Sequence, residues 1–373
     1  MIKILNCKNK NFLKQLTIFL NRRRYGKQTD TKIVHQIIKD VKKNKLKAVL
    51  KYEKKFSKNK TIRPSLKKIN KSIKSLNPKI KKAIDFAYNR ILKFHSRQKF
   101  KNISYSDKFK NKLEYKYVPL NSVGIYVPSN LPSTLLMSAI PAKIAGVKKI
   151  ILTNPNLNSA VLYVAKKIGI KEIYSMGGAQ AIASLAYIQR VNKIIGPGNI
   201  YVAKAKREVF GDVGIEGMIA GPSEITVLAD KKTNLNEVIT SLIAQAEHDV
   251  NSQCILITKD KSLINNLNKN IFDSLRKLPR NKIASKSLKD NGLIIYAKND
   301  KQIVDAINEI SPEHLEINIV NYKKYLDKIH NAGSICIGKY SPMAVTDYNS
   351  GTNHVLPTMG SAKFSSGLSV SEF

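Results

Sequence analysis

The chain has 373 residues, 43% of them hydrophobic, and its 65 Lys+Arg against 26 Asp+Glu give a formal net charge of +39. That apolar fraction excludes a disordered polycation, no run reaches the ~20 apolar residues of a membrane span, and Cys7, Cys254 and Cys336 are too scattered for a disulfide framework. A soluble, cytoplasmic protein of one or two domains is expected.

So large a charge suggests a polyanion partner, because clustered cations release counterions from phosphates. Its make-up argues otherwise. Only 10 of the 65 cations are Arg, the residue suited to bidentate phosphate and base-edge contacts. An Asn- and Ile-rich chain without Trp is also what an AT-rich coding sequence produces, so nucleic acid is disfavoured as a partner. Residues 1–120 hold 36 Lys+Arg and 6 Asp+Glu, net +30, which leaves +9 for residues 121–373.

In chain order, the lysine-rich zone reads mainly helical. Apolar residues recur at helical spacing over Thr29 to Tyr52 and Ile80 to Phe100, with Pro64 and Pro78 as punctuation. From Pro119 the texture changes. Short β-branched runs are expected as strands at 124–127, 150–153, 172–175, 193–195, 225–229, 254–258 and 293–296, each followed by a helical pattern. Such alternation predicts an α/β fold with mostly parallel sheets, and places ligands in the turns after the strands. Two Rossmann-like domains are expected. Residues 121–230 form one, inserted between the halves (1–120 and 231–373) of a larger domain, with the site in the cleft between them.

Two of the turns are rich in Gly and Pro. Ser175-Met-Gly-Gly-Ala-Gln180 precedes a predicted helix over 181–189, and Gly196-Pro-Gly-Asn199 precedes one over 201–210. Each alone is a tight turn without the G-x-G-x-x-G pattern; together they suggest a nucleotide cofactor bound without the usual loop.

Six histidines narrow the search for chemistry. His35, His95 and His330 stand among lysines and are expected on the surface. His248 and Gln245, at i and i+3, share a helical face and could grip one ion, although a histidine ending a helix is more commonly a dipole partner. Adjacent Glu313 and His314 could divide proton abstraction and water activation. His354 ends a polar loop over 346–354, in which Asp347 is a possible carboxylate ligand.

Six segments in order carry a family resemblance. Gly177-Gly-Ala-Gln-Ala-Ile-Ala183, Lys193-Ile-Ile-Gly-Pro-Gly-Asn-Ile-Tyr-Val202, Ala220-Gly-Pro-Ser-Glu224, Gln245-Ala-Glu-His248, Ser311-Pro-Glu-His-Leu315 and Ser350-Gly-Thr-Asn-His-Val-Leu-Pro-Thr358 resemble the successive signatures of histidinol dehydrogenases. The resemblance spans about residues 120–373. It implies an NAD-dependent homodimeric enzyme with one Zn2+ per site, oxidising L-histidinol to L-histidine in two steps through a bound aldehyde. Gln245, His248 and Asp347 would be the zinc ligands and would meet substrate together with Ser223 and His314. His314 would be the base and Glu313 the activator of water, while Tyr126, Gln180 and Asn199 would contact NAD. In the family, the segment matched by Gly367–Phe373 runs on into a helical tail bearing a substrate Glu and a further zinc His. The alternatives are a degenerate homologue lacking that tail or, further off, a basic nucleic-acid-binding protein.

Overall fold

The computed structural model describes residues 1–25, 32–59, 61–128, 130–217, 221–276 and 278–373. The chain divides into two compact units. One comprises Met1–Thr29, Gly217–Thr346 and Leu356–Gly367; the other Asp30–Glu216, Asp347–Val355 and Leu368–Phe373.

The first unit is built on a six-stranded parallel sheet. In spatial order its strands are Lys3–Asn6, Gly292–Tyr296, Gln253–Thr258, Glu224–Ala229, His314–Asn318 and Ser334–Ile337. The three middle strands are apolar almost throughout, because helices cover both faces. One of these helices, Leu235–Ala246, starts where Asn234 accepts the Asn236 amide and buries Val238, Ile239, Leu242, Ile243 and Ala246. Setting aside the edge strand Lys3–Asn6, chain order across the sheet is third, second, first, fourth, fifth. The order reverses between Glu224–Ala229 and His314–Asn318.

The second unit repeats this winding with five parallel strands in the order Glu172–Tyr174, Lys149–Thr153, Ser122–Tyr126, Lys193–Ile195 and Gly214–Ile215. Its reversal lies between Ser122–Tyr126 and Lys193–Ile195. Against helix Gly178–Tyr187 packs helix Lys32–Phe56, kinked at Lys45 and burying Val34, Ile37, Val41, Val49 and Tyr52.

The α/β class and doubly wound parallel sheets agree with the sequence, and all seven expected strands are present to within two residues. Two boundaries differ. Residues 32–120 group with the five-stranded unit rather than with 231–373, because the apolar stripe of Lys32–Phe56 is buried on that unit's helices. Strand Glu224–Ala229, expected in the inserted domain, is a central strand of the six-stranded sheet. The lysine-rich zone also contributes strand Lys3–Asn6 and an antiparallel hairpin, Ile103–Ser106 with Lys112–Tyr115, that its helical periodicity concealed. Within 346–354, residues Thr346 to Tyr348 end the helix Met343–Tyr348 and are not loop.

Candidate active site

In the five-stranded unit, three sequence-predicted residues gather at the carboxyl edge of the sheet. Tyr126 ends its strand, is 5% exposed, and has its hydroxyl pKa raised by burial. Gly196 to Asn199 follow Lys193–Ile195, the neighbouring strand across the reversal, where doubly wound sheets open a ligand crevice. Asn199 caps helix Ile200–Val209, its Oδ1 accepting the amides of Tyr201 and Val202 at 3.1 Å. Only glycine fits at 196: φ is +109°, and a Cβ would lie 2.0 Å from the Tyr126 carbonyl oxygen.

Buried charges, none of them singled out from sequence, hold both Gly-rich turns. Lys206 donates to the Gly196 carbonyl and pairs with Glu216, both side chains at most 5% exposed. Glu53 is fully buried and accepts the Gly177 amide (2.9 Å), the Gln180 amide nitrogen (2.8 Å) and the Asn59 amide nitrogen (3.0 Å). Asp347 and His354 also belong to this unit. Asp347 is 8% exposed, and its carbonyl accepts the His354 Nδ1–H at 2.9 Å, while Thr134 Oγ1 stands 3.1 Å from His354 Nε2. His95, expected on the surface, is fully buried at the end of helix Pro78–His95, which turns its last residue onto Gln98 and Asn353.

In the six-stranded unit the candidate residues collect at the opposite, amino edge of the sheet. His314 and Glu224 open their strands, Glu313 and Ser223 precede them, and Gln245 and His248 lie at the end of helix Leu235–Ala246 and just beyond. A helix joining parallel strands runs back against them, so its last turn lands where the strands begin. These residues therefore stand at the edge opposite to the one where the expectation places ligands.

Glu313 Oε2 accepts the Glu224 amide at 2.7 Å, and burial pushes its carboxyl above the usual carboxylate range, with nearby His314 opposing the shift. His314 Nδ1 lies 3.2 Å from the Glu224 carbonyl and 3.6 Å from Glu313 Oε2. A carbonyl only accepts, so Nδ1 carries the proton and Nε2 the basic lone pair. This is the arrangement a general base requires.

Arg23 ties down the strand start. Its guanidinium pairs with the Glu224 carboxylate and donates to the Pro222 carbonyl, while its Nε donates to the Asn251 carbonyl at 2.7 Å. The same carboxylate accepts the Met359 amide at 2.8 Å, and the Gly221 amide donates to Thr358 Oγ1 at 2.6 Å. Ser223 therefore sits on a backbone fixed from both sides; Ala220, the first residue of its motif, lies outside the described residues.

Gln245 is fully buried, with its Nε2 3.2 Å from Nδ1 of the exposed His248 and, among the described residues, no hydrogen-bond partner for its Oε1. An unsatisfied buried oxygen is costly unless something claims it, and an amide oxygen and an imidazole are both groups that can bind Zn2+. Among the described residues no three His, Cys, Asp or Glu side chains group to hold a metal. Cys254 lies in a strand, its thiol pushed up to about 12 by burial, and is no nucleophile.

The profile of the histidinol dehydrogenase family matches residues 20–373. The chain belongs to that family. The histidinol dehydrogenase of Pelagibacter ubique (strain HTCC1062) is 60% identical over 384 positions, covering 100% of this chain and 90% of that protein. That of Bacillus subtilis (strain 168) is 43% identical over 362, covering 93% and 84%. A crystal structure of histidinol dehydrogenase from Elizabethkingia anophelis superposes with a TM-score of 0.93 at 37% identity, covering 100% of this chain and 88% of that one. The match to the histidinol dehydrogenase profile begins three residues before Arg23 and includes Glu53, so both buried anchors fall within the family's extent.

Proposed function

We propose that this chain oxidises L-histidinol to L-histidine with two NAD, in two steps through a bound aldehyde. Family membership over residues 20–373 supports the reaction, and the Glu313–His314 pair with its defined tautomer is the observation that carries the chemistry. Gln245, His248 and Asp347 are the residues proposed to hold zinc, the orphaned Gln245 oxygen being the feature that favours a cation. When bound, zinc would anchor the substrate's nitrogens and NAD would take the hydrides.

His314 Nε2 accepts the alcohol proton, while its Nδ1–H stays on the Glu224 carbonyl and keeps the ring oriented. Glu313, a stronger base than an exposed carboxylate, takes a proton from the water that adds to the aldehyde. Ser223 contacts substrate from its anchored backbone. Tyr126, Gln180 and Asn199 hold the dinucleotide at the crevice of the five-stranded sheet. The same reading makes the protein a cytoplasmic homodimer; no described helix is long and apolar enough to cross a membrane.

The test is NADH absorbance with histidinol and added zinc. His314→Ala should lower the rate by about 10²–10⁴-fold with the far-UV circular dichroism unchanged. Dialysis against a chelator should remove activity and zinc together. Wild-type protein that binds zinc yet forms no NADH would overturn the reading.

A further inference from the structure

The zone with no recognisable chemistry, residues 1–120, sends one carboxylate to the dinucleotide side of the protein. Glu53 sits one turn after Val49 on the buried stripe of helix Lys32–Phe56, where an apolar residue would be expected. It is fully buried, and among the described residues no Lys or Arg lies within ion-pair distance of it. Its three partners are all N–H donors: the Gly177 amide, Gln180 Nε2 and Asn59 Nδ2. Three neutral N–H donors converging on one buried carboxylate fix the orientation of every group that donates to it, so its value lies in what its geometry imposes.

We propose that Glu53 is a positioning residue of the dinucleotide site, holding the Gln180 amide nitrogen inward so that Gln180 offers its carbonyl oxygen to the ligand. This rests on Gln180 contacting NAD. A carboxylate can only accept, so it dictates which end of the amide faces it. Gln180 Oε1 is thereby the end of the amide turned from Glu53, an acceptor matched to a ribose hydroxyl or to the N–H of a carboxamide. The second oxygen is occupied by Asn59, which prevents the carboxylate from swinging away. Through the Gly177 amide the same carboxylate fixes the turn that starts helix Gly178–Tyr187, and the Tyr126 hydroxyl, 3.4 Å from the Gly178 amide, closes it from the sheet side.

The experiment is a double-mutant cycle read by calorimetric titration of NAD into the protein without histidinol, and by steady-state kinetics. Glu53→Ala is expected to weaken NAD binding about tenfold or more and to raise the KM for NAD, with kcat and the KM for histidinol within about twofold. Glu53→Gln keeps one acceptor oxygen and should recover part of the loss, and it serves as the test if Glu53→Ala does not fold. Gln180→Ala should weaken NAD to a similar extent, and the double variant should be no worse than the poorer single one. Amide exchange of 175–180 should speed up in Glu53→Ala without ligand. If Gln180→Ala binds NAD normally, the cofactor-contact reading fails and the proposal with it. If Gln180→Ala is defective but the Glu53 variants bind normally, or the two losses add, the positioning role alone is overturned.

Discussion

Replacing Arg23 by Met tests whether the amino edge of the six-stranded sheet is held by one buried charge. The guanidinium pairs with Glu224 and donates to the Pro222 and Asn251 carbonyls, with side chains 6% and 3% exposed for Arg23 and Glu224. Among the described residues its loss leaves the Glu224 carboxylate with the Met359 amide and no cation, and Glu224 Oε2 has no partner there even in the intact protein. Breaking a buried pair in this way costs about 3–5 kcal/mol, a large share of the roughly 5–15 kcal/mol that holds a typical domain. Most of that cost is the stranded charge. Adding Glu224→Gln should therefore return about 2 kcal/mol or more, although three hydrogen bonds of about 1 kcal/mol each have been disturbed. The chain has no Trp, so urea unfolding followed by far-UV circular dichroism is the suitable assay, with all four corners of the cycle compared at one pH. An Arg23→Met variant within about 1 kcal/mol of wild type, or a double variant no more stable than Arg23→Met, would refute the argument.

Gly196→Ala should destabilise the five-stranded unit by about 2 kcal/mol or more, since it combines positive-φ strain of about 1–3 kcal/mol with a Cβ driven into the Tyr126 carbonyl; a thermal midpoint unchanged by the substitution would contradict this. His95 supplies the pH dependence. Burial lowers its pKa in the folded state, with Nδ1–H on Gln98 Oε1 at 2.6 Å and Nε2 facing the Asn353 amide nitrogen. Between that lowered value and the unfolded value of about 6.5 the unfolded chain binds more protons, so stability is full above about pH 7 and falls as pH drops through this window. Denaturation midpoints of wild type and His95→Gln from pH 8 to 5 should converge as pH falls, and parallel curves would show that His95 is not the group responsible.

The seven strands were legible because fully covered parallel strands are written as short continuous β-branched runs, and the Gly-rich turns because few other residues fit them. Strand Lys3–Asn6 and the hairpin Ile103–Ser106 with Lys112–Tyr115 were not. Lys3–Asn6 and the hairpin carry mixed polar and apolar residues that face solvent, which erases the pattern. The named site residues came from the family motifs, and the structure added their second layer. Arg23 and Glu53 both stand where the buried stripe of their helix would place an apolar residue, Arg23 after Leu16 and Leu20, and Glu53 after Val49 and Tyr52. A charge interrupting an apolar stripe is a signal that can be read, but among 36 cations in 120 residues it is easily lost. His95 was misplaced for the same reason, since lysine neighbours describe the solvent face of a helix and not the face its histidine occupies.

The way the two units share the chain has a bearing on biosynthesis. All five parallel strands of the second unit lie within residues 122–215 and can pair as soon as that stretch leaves the ribosome. The six-stranded sheet must wait, because its central strand at 224–229 pairs with 314–318, and Lys3–Asn6 needs a partner 290 residues downstream. During elongation the amino-terminal segment therefore remains a tethered, unpaired edge strand while its future neighbours are being translated. Its dense positive charge discourages self-association at the stage when the nascent chain is most open to it.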